Sequence, residues 1–299
     1  MENTDRSGLL LALSGFALLS AGDALVKSMA GFWPGSAIAA LRYVIGAIGI
    51  GFILWRREGR AGFGFPHFGW QVLRGISVAL AAMCGFTAVH LMPIGEFTAI
   101  SFTSPMLTAL LASVLLAERL RRETLIASGI AFVGVLLILR PNFALLGPVA
   151  LLPLLAASGM ALLIIANRKV AGSASALAMQ FNVAVIAAIF LTIGSVAGHF
   201  SGVALFTVPP LPTVILIKCA IIACSASVAH ALIYLATTRA GAAAVAPMTY
   251  VQLLIAGGLG WIIFGERPDV PAIIGAAVIV GAGLYLWRAG RVQAVADAV

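Results

Sequence analysis

Long apolar runs separated by short polar segments occupy almost the whole chain. A helix that spans a bilayer needs about 20 predominantly apolar residues, whereas a membrane strand alternates polar and apolar positions over about 10 residues. The runs here are long and do not alternate, so they predict helices. We therefore predict an all-α integral membrane protein with ten transmembrane helices, at residues 8–28, 36–55, 70–91, 97–117, 124–139, 147–167, 175–197, 213–237, 242–264 and 271–287.

The fourth span and its flanking residues recur in the ninth span at a constant offset of 148 residues. At this offset Glu118 and Arg119 fall on Glu266 and Arg267. The first two spans match the sixth and seventh at a shorter offset, so the repeating unit is five helices. An odd number of helices repeated in tandem must be inverted the second time, as in many secondary transporters. We predict two inverted five-helix repeats, residues 1–143 and 144–299, which together form one transport domain.

Composition agrees with this prediction. The chain is 62% hydrophobic and 9% charged, against about 25% charged residues in a soluble domain. The net charge of +8 does not indicate nucleic acid, because the basic residues lie at segment ends and not on one patch. With ten spans, thirteen of the 18 Lys and Arg residues fall on one side, which predicts cytoplasmic termini. The other side receives Lys27, Arg42, Arg140, Lys218 and Arg267.

The motifs AERL and GERP, which end the fourth and ninth spans, resemble those of the drug/metabolite transporter superfamily. Within it the chain is similar to the EamA family, and there most similar to YddG-type exporters of aromatic and other amino acids. The resemblance implies a multi-pass protein of the bacterial inner membrane that exports amino acids by alternating access.

Polar side chains recur at helical spacing within several spans. In the fourth span Ser101 and Thr108 lie on one stripe, as do Thr249 and Gln252 in the ninth. We predict that both stripes face a central cavity, since polar groups in the hydrocarbon region usually face protein or water. Close packing through small residues is the alternative. The predicted substrate-binding residues are Ser101, Thr108, Thr249, Tyr250, Gln252, His230, Tyr234, Met83, Thr87 and Phe16.

Prolines and glutamate-arginine pairs mark the ends of these same spans. Pro105 and Pro247 each remove a backbone donor and free a carbonyl four residues earlier, so we predict hinges there, with static kinks as the alternative. Both pairs, Glu118-Arg119 and Glu266-Arg267, fall at membrane boundaries. We predict that they anchor neighbouring segments, with gating as the second interpretation. Small residues such as Gly134 and Gly275 in the fifth and tenth spans predict a face for helix packing or for a dimer.

The acidic residues give little indication of ion coupling. Asp23 has Lys27 one helical turn later, and Glu96 stands at the start of its span within reach of water. We therefore predict facilitated export. The alternative is proton-coupled export of cationic or lipophilic toxic compounds. Because no Lys or Arg is expected at the centre of the cavity, we expect neutral or zwitterionic cargo.

Other classes of function fit less well. An intramembrane enzyme would need clustered carboxylates or paired histidines, and the chain has ten acidic residues, most of them in loops. We predict no enzymatic activity, no cofactor and no metal site. A membrane scaffold or a simple pore remains an open alternative. The expected partners are a small-molecule substrate and the lipid bilayer, with no nucleic acid, and the protein is expected to be a monomer or a homodimer.

Overall fold

The computed structural model describes residues 2–115, 122–170, 172–240 and 245–296. Within these ranges the chain forms helices and turns and no strand, which agrees with the predicted all-α class. The α-helices are α1 Glu2–Lys27, α2 Gly35–Glu58, α3 Phe68–Leu91, α4 Ile94–Ser101, α5 Ser104–Leu115, α6 Arg122–Leu146, α7 Leu152–Val170, α8 Ala176–His199, α9 Thr213–Ala240, α10 Tyr250–Phe264 and α11 Val270–Ala296.

Seven helical segments in the described ranges are long and apolar enough to cross a membrane. Three shorter apolar helices, Leu125–Arg140, Tyr250–Phe264 and Val270–Tyr285, fall at the predicted fifth, ninth and tenth spans. The membrane class is therefore supported, and the count of ten spans stays a prediction.

The helices group into two compact units. The first unit comprises Met1–Leu25, Leu91–Leu151 and Ser225–Val299, and the second comprises Val26–His90 and Leu152–Cys224. Each unit takes segments from both predicted halves, so compact packing does not follow the boundary between residues 143 and 144. The inverted repeat, which rests on the sequence match, stays a prediction.

In the first unit, α6 and α11 approach each other through glycine. A Cβ built on Gly134 would lie 2.7 Å from the carbonyl oxygen of Gly275, and one on Gly275 would lie 2.6 Å from that of Gly134. Any side chain at either position would therefore force the two backbones apart. This contact agrees with the packing face predicted for these two spans.

The second unit packs α2, α3, α7 and α8 in the same way. A Cβ on Gly159 of α7 would lie 2.6 Å from the carbonyl oxygen of Ser77 in α3. A Cβ on Gly35, at the start of α2, would lie 2.7 Å from the carbonyl oxygen of Phe86. Small residues thus bring α3 against both α2 and α7.

The predicted fourth span is two helices and not one. Helix α4 ends at Ser101 and α5 begins at Ser104, and the break falls on Phe102 and Thr103. The Thr103 amide and hydroxyl both donate to the Ile100 carbonyl, at 3.0 and 2.7 Å, which closes a tight turn. Pro105 follows this break in the first turn of α5. Backbone N–H groups in the first turn of a helix have no partner within the helix, so a proline there removes no hydrogen bond. The break therefore precedes the kink that we predicted at Pro105. The role of Pro105 as a hinge stays a prediction.

The ninth span also begins irregularly. Residues Ala246–Thr249 form a short 3-10 helix, and α10 starts at Tyr250. Pro247 lies in this 3-10 turn. Both repeat-related spans thus change conformation next to the equivalent positions Phe102 and Tyr250.

Candidate functional site

Phe102 and Tyr250 contact each other in the first unit, each at the irregular part of its span. Their ring centroids are 5.3 Å apart and the ring planes meet at 87°. This edge-to-face geometry is the favoured one for aromatic pairs, and it contributes about 0.5–1.5 kcal/mol beyond the area that it buries. The two positions are equivalent under the offset of 148 residues, so the contact joins the two copies of the repeated segment.

The position of the Tyr250 side chain depends on a glycine of α11. A Cβ built on Gly283 would overlap the Tyr250 hydroxyl. The ring therefore lies across the backbone of α11, where no larger residue fits. Tyr250 itself is half-buried, so part of the ring remains accessible beside Phe102.

The hydroxyls of the fourth-span stripe donate to their own helix. Ser101 donates to the Phe97 carbonyl and Thr108 to the Ser104 carbonyl, each at 2.8 Å. Such back-bonding satisfies the donor within a membrane helix and leaves the oxygen lone pairs as acceptors. Thr98 differs, since it is 2% exposed and its hydroxyl has no hydrogen-bond partner in the described part of the chain.

The ninth-span stripe is connected to α1. The Ser20 hydroxyl donates to the backbone carbonyl of Gln252 at 2.9 Å. Thr249 and Gln252 are both half-buried. The first turns of α10 therefore present polar groups beside the Phe102–Tyr250 pair.

Other predicted residues of the first unit lie elsewhere. Phe16 is 6% exposed and packs in an apolar cluster with Ala12, Ala236 and Val245. His230 is on an exposed part of α9. Glu118, Arg119 and the side chains of Tyr234 and Pro247 lie outside the described residues.

Glu266 caps a neighbouring helix. Its carboxylate accepts the backbone N–H of Ile94, the first residue of α4, at 2.9 Å. A carboxylate is favourable there because the helix N-terminus carries a partial positive charge. Glu266 is positioned by Gly265, which has a φ of +66° and ends α10 in a left-handed conformation. This contact supports the anchoring interpretation for Glu266, whereas Arg267 is exposed.

In the second unit, Arg42 corrects an expectation from the sequence. The distribution of Lys and Arg places Arg42 on the outer side of the membrane, and no Lys or Arg is expected at the centre of the cavity. Arg42 is the eighth residue of α2, about 10 Å along the axis from Gly35 at 1.5 Å per residue. Its guanidinium carbon lies 5.3 Å from the ring centroid of Phe86 and 5.1 Å from that of Tyr43. Sequence position alone does not show which way a long side chain points, and here it points to α3.

Thr87 and Met83 of α3 have different surroundings. Thr87 is 4% exposed, and its hydroxyl has no hydrogen-bond partner among the residues that the structure describes. Met83 is half-buried and its terminal methyl group packs against Gly194 of α8, where a Cβ would overlap it. Of these two predicted residues, only Thr87 carries a hydroxyl, and that hydroxyl is buried.

A separate pocket of about 450 Å³ lies between α2, α8 and the segment that follows α8. It is mostly apolar, and its polar edge includes His199, whose ring nitrogen Nδ1 accepts the Val208 amide at 3.0 Å. Arg42 does not line it. The pocket-lining residues on α2 are Ala37, Ala40, Leu41 and Val44.

In the described ranges no group of three or more His, Cys, Asp and Glu residues is arranged to hold a metal ion. The three cysteines, Cys84, Cys219 and Cys224, are free thiols.

Comparison with known proteins gives relatives that are transporters. The S-adenosylmethionine uptake transporter of Rickettsia bellii (strain RML369-C) is 28% identical over 216 residues, covering 72% of this chain and 71% of that protein. The riboflavin transporter of Brucella anthropi is 27% identical over 285 residues, covering 94% and 97%. The pseudopaline exporter CntI of Pseudomonas aeruginosa (strain UCBPP-PA14) is 26% identical over 291 residues, covering 95% and 96%.

A crystal structure at 19% identity matches with a TM-score of 0.55 and covers 94% of this chain and 96% of that chain, which shows the fold alone. The model of the EamA-like transporter family matches residues 6–140 and 147–288. These two segments include nearly the whole sequence, and the chain belongs to the EamA-like transporter family, in the drug/metabolite transporter superfamily.

Proposed function

We propose that this chain exports amino acids, aromatic and other neutral ones, or similar small metabolites from the cytoplasm. Its family and its relatives make it a membrane transporter, and the cargo and the direction are the proposal. Transport proceeds by alternating access and is facilitative. The chain lies in the bacterial inner membrane with both termini in the cytoplasm, as a monomer or homodimer, and has no enzymatic activity.

The observation that carries this proposal is the Phe102–Tyr250 pair at the interruptions of two repeat-related spans. Interrupted helices are where transporters of many folds bind substrate, because freed backbone groups can bind polar parts of the cargo. An aromatic pair beside them offers a surface for an apolar side chain. Together they suit a small molecule with one polar and one apolar end, which describes an aromatic amino acid.

The relatives support transport of small organic molecules and do not give a direction. One is named an uptake transporter and another an exporter. Export therefore rests on the resemblance to YddG-type proteins noted from the AERL and GERP motifs.

The alternative is proton-coupled export of cationic or lipophilic toxic compounds, and one observation favours it. Glu96 was expected within reach of water, but it is 8% exposed near the start of α4. A buried carboxylate is a common carrier of protons in transporters. Arg42 argues against a cationic cargo, since its positive charge lies inside α2.

Transport into proteoliposomes of pure protein tests the proposal. Uptake of radiolabelled phenylalanine, threonine and choline would be measured with and without an imposed pH gradient. We expect saturable amino-acid flux that the gradient does not change, together with exchange of labelled for unlabelled amino acid across the membrane. Flux of choline alone, or flux only with a gradient, would favour the proton-coupled alternative.

A further inference from the structure

We propose that Arg42 binds the carboxylate of the transported substrate. This inference rests on the proposed amino-acid transport and deepens it, since it defines the cargo as carboxylate-bearing. Arg42 belongs to the second unit, so the inference depends on contacts within that unit and not on the Phe102–Tyr250 pair of the first.

A charged side chain within a membrane span is costly, so the charge of Arg42 calls for a function. Arginine within a membrane-spanning helix is rare and usually faces the interior of the bundle or a watery path. Arg42 is half-buried in α2, and its guanidinium lies over Phe86 of α3, a residue that is 8% exposed. Arg42 therefore points toward α3.

The contacts of Arg42 leave its hydrogen-bonding groups available. A guanidinium has five N–H donors, and a ring face attracts the charge without accepting these donors as a carboxylate does. The rings of Tyr43 and Phe86 thus hold the guanidinium in place. Its planar edge remains suited to a group that accepts two hydrogen bonds.

Arg74 shows what a structural arginine looks like in the same unit. Arg74 is 6% exposed, and oxygen acceptors from three helices satisfy it. It donates to Asn167 Oδ1 at 2.6 Å, to Gln71 Oε1, and to the Met179 carbonyl at 3.3 Å. Lys218 is likewise occupied, since it donates to Ser28 Oγ at 2.9 Å and to the Ser28 carbonyl at 3.3 Å. Arg42 differs from both because its contacts in the described part of the chain are with aromatic rings.

Carboxylate is the ligand that this arrangement favours. The guanidinium fork matches a carboxylate with two parallel hydrogen bonds, and the flanking rings exclude water from one side of the pair. A cationic cargo would be repelled here, and a cargo without a negative group would gain little.

The test compares phenylalanine with L-phenylalaninamide, which lacks the carboxylate. In proteoliposomes, the KM for phenylalanine and the inhibition constant of the amide are measured for wild type, Arg42→Gln, Arg42→Lys and Arg57→Gln. Arg57 is the matched control, because it is an exposed arginine in the last turn of α2. The ratio of the two constants is taken within each variant, so it does not depend on how much protein folds.

We expect wild type to prefer the carboxylate by about tenfold or more, as one charge-assisted bidentate contact allows. Arg42→Gln should reduce the preference for the carboxylate to about threefold or less. Arg42→Lys, which keeps the charge but not the two-pronged guanidinium, should have an intermediate preference. Arg57→Gln should behave as wild type.

The outcomes separate the two proposals. An unchanged preference in Arg42→Gln overturns the role of Arg42 and leaves amino-acid transport intact. If Arg42→Gln does not fold, an unchanged preference in Arg42→Lys overturns the inference in the same way. If wild type transports no amino acid, the proposed function fails, and this inference fails with it.

Discussion

The Tyr250 ring meets Phe102 edge to face, 5.3 Å between centroids, and its hydroxyl lies against the backbone of Gly283. One side chain thus connects the break between α4 and α5, the start of α10 and the middle of α11. In the proposed function, this side chain forms part of the surface that receives the cargo. Substitutions at these three positions should separate packing from transport.

Removing the Tyr250 ring should impair transport. We expect Tyr250→Ala to lower kcat/KM for phenylalanine by about tenfold or more, because it removes both the aromatic partner of Phe102 and a contact surface for the cargo. Tyr250→Phe, which keeps the ring, should retain most of the activity. Tyr285→Ala is the control, since Tyr285 is 41% exposed on the same α11 helix. Equal activity of Tyr250→Ala and wild type would remove this residue from the site.

A side chain at Gly283 should displace Tyr250. We expect Gly283→Ala to lower the free energy of unfolding by about 1–3 kcal/mol, since the added Cβ overlaps the tyrosine hydroxyl. Combining it with Tyr250→Phe, which deletes that hydroxyl, should recover part of the loss. Gly281→Ala is the matched control, because a Cβ there meets no atom within 4 Å. Thermal unfolding in detergent of wild type, Gly283→Ala, Tyr250→Phe, the double variant and the control measures the coupling, and strictly additive losses would contradict the contact.

Removing the Glu266 cap should destabilise α4. We expect Glu266→Ala to lower the free energy of unfolding by about 0.5–2 kcal/mol, as loss of a capping side chain does, while Glu266→Gln keeps an acceptor for the Ile94 amide and should lose less. Glu123→Gln, which changes an exposed carboxylate in the first turn of α6, controls for charge. If transport falls with no change in stability, gating replaces anchoring as the role of Glu266.

Substitution of Glu96 tests whether export is facilitative or coupled to protons. We expect that an imposed pH gradient changes the flux neither in wild type nor in Glu96→Gln. The reason is that the proposed transport does not need a titrating group. The measurement is phenylalanine flux at equal and unequal pH across the proteoliposome membrane. A gradient response in wild type that disappears in Glu96→Gln would identify Glu96 as the coupling residue.

The class of the fold and the family were predictable because they depend on patterns within short segments. Runs of apolar residues locate the long helices, although α6 and α11 continue past the predicted spans to Leu146 and Ala296. The AERL and GERP motifs indicate the family that the family match confirms. The close approach of Gly134 and Gly275 was also predictable, since small residues in membrane helices allow their backbones to pack closely.

The features that were wrong or missed depend on tertiary contacts. The break before α5 was missed: the Thr103 hydroxyl closes a turn two residues before Pro105, and the hinge predicted at Pro105 stays a prediction. The direction of the Arg42 side chain depends on Phe86, which is 44 residues away in the sequence. The burial of Glu96 depends likewise on its packed surroundings, and hydropathy within one span does not report it.

The composition of the two compact units has a consequence for biosynthesis. The first unit combines Met1–Leu25 with Leu91–Leu151 and Ser225–Val299, so its interior is assembled from early and late parts of the chain. Its first helix, α1, is therefore inserted into the membrane before the rest of the unit, which is complete only after α10 and α11 have left the ribosome. The second unit has all of its segments once residue 224 has been made. Membrane insertion of this transporter should thus complete one core well before the other, and truncations within α11 should leave the second unit folded while the first is exposed to quality-control proteases.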